Sequence, residues 1–433
     1  YRMKSIFPLI TFRIIFGAMM LLSALRFMAL GWVEAHYIAP KLHFTYYGFS
    51  WVQAISPTFV YGLHIVMILA AIGVLLGCFY RISALLLFLT FTYTELIDLT
   101  YYLNHYYFVS IICFLLILVP ANSYFSVDVL RNPHLQRLVV PAWTIWIFQF
   151  QLAIVYIYAG IAKINYTWLI EAMPLKIWLP ANDKFPFIGW IFGLKFIPHL
   201  FAWFGMLYDC SIVFFLCWRK TRLFAYFAVV VFHILTGLLF QIGVFPLVMI
   251  SSTLLFFSEE WHRNLLNYFQ KNPKQLAIIP WITPNKIPFF TSLFLVFHLS
   301  FQIIFPFRYL LYRGNLLWTE QGYRFGWRVM LMEKAGTATF FVKDSRTQRE
   351  GEVVNSEFLT PDQEKQMAMQ PDMLLQFAHF LAKHYAKKGV FQPQVRVEAY
   401  VTLNGQPSKL LINPTVDLTK IEDSFAEKHW ILP

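Results

Sequence analysis

Residues 143–168 read WTIWIFQFQLAIVYIYAGIAKINYTW. From Trp143 to Ala162 the stretch holds no Asp, Glu, Lys or Arg, and it then closes on a single lysine, Lys163. A helix rises about 1.5 Å per residue, so a charge-free run of this length can cross a hydrocarbon core that needs about 20 apolar residues. The lysine at its end has two readings. Its ammonium can snorkel to the interface and anchor the helix. Held against apolar surface, it can instead lose its proton and act as a base.

The same pattern recurs along the chain. About nine apolar runs are expected as spans: Phe7–Leu30, Thr58–Phe79, Ile82–Ile97, Tyr106–Val119, Trp143–Ile161, Phe196–Trp218, Leu223–Phe240, Val244–Phe257 and Ile287–Phe305. The runs at 82–97, 106–119 and 244–257 are short for a full crossing. The composition agrees, with 58% hydrophobic, 19% aromatic and 13% charged residues, against about a quarter charged in an ordinary domain. The net charge of +12 is scattered between apolar runs, which fits positive loops of a membrane protein and no nucleic-acid surface. The cysteines Cys78, Cys113, Cys210 and Cys217 lie in or beside apolar segments, so no disulfide framework is expected. Because the chain opens on Tyr1, residues ahead of it are expected, and the lack of a targeting segment carries no weight.

Loop charges set the orientation. With the amino terminus inside, inner connections carry Arg2, Lys4, Arg81, Arg131, Arg137, Arg219, Lys220, Arg222, Arg263, Lys271, Lys274 and Lys286. The outer ones carry Lys41 and, in one long loop, Lys163, Lys176, Lys184 and Lys195, while the short loops 101–105 and 241–243 have none. This places the carboxy-terminal region on the non-cytoplasmic side. From Pro306 the chain becomes charged and alternating, with strand-like runs at Thr337–Lys343 and Val395–Leu403 and an amphipathic helix at Asp372–Lys388. The expected fold is therefore a polytopic α-helical membrane domain, 1–305, followed by a small strand-rich α+β outer domain, 306–433.

Polar groups in or beside apolar spans are costly and point to function. On this topology Asn104, His105, Lys163 and His233 fall at one outer level, with Tyr101, Tyr102 and Trp168 close in sequence. Each also has a plain reading: Asn104 as a helix cap, His233 as a satisfied interhelical donor, Asp98 as a structural partner. No Gly-rich phosphate loop, HExxH or CxxC occurs, and the histidines are too dispersed for a metal site to be expected. In the outer domain, WTEQGYRFGW (318–327) is either a packed interfacial turn or a recognition surface, with Arg308, Arg324 and Arg328 able to meet a carboxylate.

Several blocks together carry a family pattern: LGCFYRIS (76–83), Asn104-His105, PANSYFSVD (120–128), VPAW (140–143) and Gln151. It continues through IVYIYAGIAKINYTW (154–168), FHILTGLLFQIGVF (232–245), SEEW (258–261), WTEQGYRFGW, VTLNGQ (401–406) and NPTVD (413–417). In this order and spacing the chain resembles the vitamin K-dependent gamma-glutamyl carboxylases over essentially its whole length. The resemblance implies a multi-pass lyase of a bacterial inner membrane or the ER membrane. Reduced vitamin K, of menaquinone or phylloquinone type, is oxidised by O2 to the epoxide. A strong base made in that step removes a γ-proton from a peptide glutamate, and the carbanion captures CO2. No metal is implied.

By the same resemblance Lys163 is the initiating base and must be an uncharged amine, with His105 beside the quinone oxygen. Asn104, Gln151, Trp168 and His233 fall to hydroquinone binding, and Arg308, Tyr323, Arg324 and Trp327 to the glutamate peptide. There are departures: Gln149 stands where many relatives have Arg, and Arg308-Tyr309 where Arg-His is common. The crosslinking cysteine pair and long carboxy-terminal extension of the animal enzymes are also missing, which points to a divergent, bacterial-type member. An epoxidase that does not carboxylate, and a non-catalytic transporter or scaffold of the same fold, are the alternatives.

Overall fold

The computed structural model describes residues 2–240, 242–269 and 288–433. Among these, seven helices are long and apolar enough to cross a membrane: Phe7–Ala29, Pro57–Leu76, Tyr80–Ile97, Trp143–Ala162, Ile197–Cys217, Arg222–Phe240 and the run Phe289–Leu311. Two further apolar helices, Asn104–Leu118 and Phe245–Phe256, are shorter. They stand where two of the short spans were expected, and at about 1.5 Å per residue neither reaches across a core about 30 Å thick. Among the described residues the candidate full-length spans are thus seven, and the difference from about nine is one of length and not of polarity. Gln241, Lys271, Lys274, Lys286 and Ile287 lie outside the described residues.

Local chemistry sets the helix ends. Ser56 caps Pro57–Leu76 by accepting from the Phe59 amide at 3.2 Å, with Pro57 in the first turn, where its missing N–H costs nothing. Gly77 ends that helix at φ 62°, and a Cβ there would lie 2.4 Å from an Arg13 nitrogen. The next helix, Tyr80–Ile97, is capped from a distance: Asp128 accepts from the Phe79 and Tyr80 amides at 2.8 and 3.0 Å. Buried Arg13 donates to the carbonyls of Ala121 and Phe125. The blocks 76–83 and 120–128, far apart in sequence, therefore form one hydrogen-bonded corner. Beside it, β1 (Met3–Ser5) pairs antiparallel with β2 (Val139–Pro141) and ties the amino terminus to the start of Trp143–Ala162.

The outer domain is an antiparallel sheet in the order β4-β3-β5-β6, where β3 is Lys334–Lys343, β4 Glu350–Glu352, β5 Gln394–Leu403 and β6 Lys409–Leu410. Alternation in the sequence becomes alternation in burial: Ala338, Phe340 and Val342 of β3 and Val395, Val397, Ala399 and Val401 of β5 face the core. The helix Pro371–Lys387 covers that face, with Phe377 edge-on to Phe340 at 4.9 Å.

This domain is seated on the membrane helices. Phe44, Tyr46 and Leu99 belong to its hydrophobic core. Asp98, fully buried, accepts from Gln363 Nε2 at 2.9 Å and the Thr100 amide at 2.9 Å, and contacts His43 Nδ1 at 3.0 Å. Its role is that of a structural partner at the domain junction.

Candidate functional site

The helix Trp143–Ala162 packs on Ile197–Cys217, and Gly160 sets how closely. A Cβ at Gly160 would lie 2.5 Å from Cys210 Sγ and 2.8 Å from its backbone nitrogen, so only hydrogen fits there. That contact brings the capping residue of the first helix, Lys163, against Asp209 of the second. Lys163 Nζ lies 2.8 Å from Asp209 Oδ2 and donates to the Ala159 carbonyl at 3.2 Å. Both side chains are under a tenth exposed, at 7% and 8%. The amine also stands 5.4 Å from the ring centre of Trp168. Trp168 is fixed in turn by the cap of Asn165 on its amide and by its indole N–H donating to the Ala202 carbonyl, each at 2.9 Å.

Lys163, Asp209 and Trp168 line one cavity with Tyr156, His233 and Phe245, and Val329 and Met330 of the outer domain close it. About 700 Å³ of space free of protein atoms, the open mouth included, lies at this cavity. His233 Nε2 lies 2.9 Å from the Tyr156 hydroxyl, whereas His233 Nδ1 is buried without a hydrogen-bond partner. A phenol O–H is a stronger donor than a neutral imidazole N–H, so Tyr156 donates to Nε2 and the imidazole proton sits on Nδ1. The cavity wall therefore holds an unused donor, and a ligand oxygen could satisfy it. Phe245 stands between His233 (5.6 Å) and His105 (5.5 Å), so His105 lies one ring behind the wall.

The other candidates fall elsewhere. Asn104 is the first residue of Asn104–Leu118, not its cap; its amide donates to the Arg328 carbonyl at 2.8 Å and its oxygen accepts from the Tyr102 hydroxyl at 3.0 Å. Gln151, wholly buried, donates to Gln302 and accepts from His298 Nε2, both at 3.2 Å, in a polar knot away from the cavity. Gln149 donates to the Leu255 carbonyl at 2.8 Å. Tyr323 donates to the Arg328 carbonyl at 3.3 Å, and fully buried Trp327 stacks on Tyr107 at 4.8 Å. Arg308 donates to the carbonyls of Phe305 and Arg324, and Arg324 is paired with Asp372 and Gln370.

The backbone of this segment is strained. Glu320, Phe325, Trp327 and Met330 all take positive φ, a region that non-glycine residues enter at a cost and that clusters at functional sites.

The Arg324–Asp372 pair yields a pH test. Burial raises the Asp372 carboxyl, but the charge and hydrogen bonds of Arg324 outweigh burial and hold it below its ordinary 3.8. Burial lowers Arg324, and the facing carboxylate raises it further, so the guanidinium stays charged. A carboxyl depressed by folding contributes stability that is fully present above its unfolded value and is lost as pH falls through the folded one. Arg324→Ala strips the guanidinium from a partly buried carboxylate and is expected to cost roughly 1–3 kcal/mol at neutral pH. Burial on Asp372 is then opposed only by Lys428 and the Met373 amide, so the carboxyl rises and the gap to wild type should shrink on acidification. Thermal unfolding of both proteins between neutral pH and the acid range checks this, and a gap independent of pH counts against it.

Two of the most telling side chains, Asp209 and Tyr156, were not singled out from the sequence. Asp209 could have been, since FGMLYDCSIV places a carboxylate inside an apolar span, where an acid marks a site by default. Tyr156 gives no such signal in an aromatic-rich helix. Among the described residues, no group of three or more His, Cys, Asp or Glu is placed to hold a metal ion.

A family model described as HTTM domain matches residues 1–261. A second, described as vitamin K-dependent gamma-carboxylase, lumenal domain, matches residues 288–433. No solved structure matches.

Proposed function

We propose, for a chain that belongs to the HTTM-domain family and carries the lumenal domain of the vitamin K-dependent gamma-carboxylases, that the Lys163 cavity is where a vitamin K hydroquinone is deprotonated. The oxidation of that hydroquinone by O2 supplies the base for carboxylating a peptide glutamate with CO2. The observation that carries the reading is the buried 2.8 Å contact of Lys163 with Asp209, on the same wall as the unpartnered His233 Nδ1.

Two opposite charges buried together are favoured only where their attraction exceeds the cost of removing them from water. Asp209 can take the ammonium proton, which leaves an amine and a carboxylic acid as a neutral hydrogen-bonded pair. In that form Lys163 has a free lone pair and can accept the proton of a hydroxyl placed in the cavity. His233 Nδ1 would donate to an oxygen of the same ligand, Trp168 and Phe245 would offer apolar walls to its ring, and the apolar lining would exclude water. Arg308, Tyr323, Arg324 and Trp327 shape the peptide side by holding the segment 318–330. His105 supports the wall from behind Phe245, Asn104 holds the Arg328 carbonyl, and Gln151 ties its helix to Gln302 and His298. The outer domain lies on the lumenal or periplasmic side, where a peptide arrives.

Purified protein supplied with vitamin K hydroquinone and O2 is expected to form the epoxide, and with labelled bicarbonate and a glutamate-rich peptide to incorporate label. Epoxide without label across several peptides would support the epoxidase that does not carboxylate. Absence of both products would leave the non-catalytic reading.

A further inference from the structure

Three arginines lie in or against the segment 318–330, and the structure treats them differently. Arg324 is neutralised by Asp372, and Arg308 is engaged by two backbone carbonyls. Arg328 has neither kind of partner. Its guanidinium lies over the Tyr309 ring at 4.1 Å, and its Nε is buried without a hydrogen-bond acceptor. It borders a second cavity, formed with Tyr158, Ala162, Asn165, Phe307 and Tyr309, and no Asp or Glu lines that cavity. A half-buried guanidinium whose Nε is removed from water with no anion beside it is an incomplete site, and its planar fork matches a carboxylate in two parallel hydrogen bonds.

The position narrows the occupant. Ala162, Ile164 and Asn165, which flank Lys163 in the chain, line the Arg328 cavity. Val329 and Met330, next after Arg328, close the Lys163 cavity. An anion on Arg328 is therefore held against the turn that carries the lysine, by the strand of chain that separates the two cavities. We propose that Arg328 binds the side-chain carboxylate of the peptide glutamate. This rests on the function proposed above and names the residue that recognises its peptide substrate.

The chemistry gives Arg328 a second task at the same atoms. When the strong base produced by hydroquinone oxidation removes a Cγ proton, the C–H electron pair spreads onto the carboxylate oxygens. That group then carries extra negative charge until the carbon attacks CO2 and the new C–C bond forms. Guanidinium N–H groups fixed on those oxygens oppose the added charge without reorganising.

The test uses the full chain in lipid nanodiscs with a short glutamate peptide and the same peptide carrying glutamine. Arg328→Gln is expected to raise the peptide KM roughly 10–100-fold, as loss of a charge-assisted pair does, with the hydroquinone KM within about twofold. Arg328→Lys, which keeps charge but loses the fork, should fall between. Peptide binding without turnover provides a separate arm: wild type should prefer the glutamate peptide over the glutamine one, and Arg328→Gln should lose that preference. A glutamate preference equal in wild type and both folded variants overturns the proposal and, if nanodiscs of anionic lipid alone raise their stability, assigns the arginine to a lipid phosphate. If wild type makes no epoxide yet the binding preference follows Arg328, the proposed oxidation fails and the carboxylate site stands.

Discussion

Replacing Lys163 by alanine is expected to lower epoxide formation roughly 10²–10⁴-fold, the range over which a positioned general base contributes. Asp209→Asn should lower it less, roughly 10-fold, because the amine is kept and only the 2.8 Å contact that positions it is altered. Each single change also breaks a pair whose members are 7% and 8% exposed, and leaving one buried charge alone costs roughly 3–5 kcal/mol. Loss of activity alone thus mixes chemistry with unfolding. The double variant Lys163→Met with Asp209→Leu separates them, since replacing both members of a buried pair by apolar groups is often neutral or stabilising. It should recover most of the thermal stability lost by either single variant and none of the epoxide formation. A Lys163→Ala protein that keeps wild-type turnover would return the lysine to its anchoring role, and a double variant that regains activity would do the same.

The spans and the outer sheet were legible because burial against lipid or a core imposes a regular composition. Apolar runs about 20 residues long with few charges marked the full-length helices, and period-two alternation marked β3 and β5 within a few residues. Lys163 was legible as the first charge after an apolar run. Its partner was harder to find: Asp209 lies 46 residues further on, and the contact depends on Gly160 meeting Cys210 across two helices. The short helices Asn104–Leu118 and Phe245–Phe256 carry the hydropathy of spans without the length. The three arginines look alike in sequence, and only the folded chain distinguishes them. Asp372 reaches Arg324 from a helix that starts 47 residues after it, and Tyr309 takes the face of Arg328.

His233 offers the second large effect, and its two ring nitrogens can be tested apart. Asparagine carries its amide nitrogen near the position of Nδ1, and glutamine carries its own near Nε2. If the donor into the cavity is Nδ1–H, His233→Gln loses it and keeps a partner for Tyr156, whereas His233→Asn keeps the donor and strands the Tyr156 hydroxyl. The expected result is a loss in kcat/KM of roughly 10–100-fold for His233→Gln, as for leaving a ligand oxygen without a buried donor. His233→Asn should lose several-fold less activity while losing more thermal stability, because the Tyr156 hydroxyl is then buried unpaired. Tyr156→Phe removes only the group that selects the tautomer, so an effect of several-fold, mainly in the hydroquinone KM, is expected. The reverse order, with glutamine better tolerated than asparagine in turnover, would mean that His233 serves to hold Tyr156 and that the cavity takes its hydrogen bonds from elsewhere. The opposed ranking of activity and stability is what a packing role alone would not produce, since packing loss moves both together.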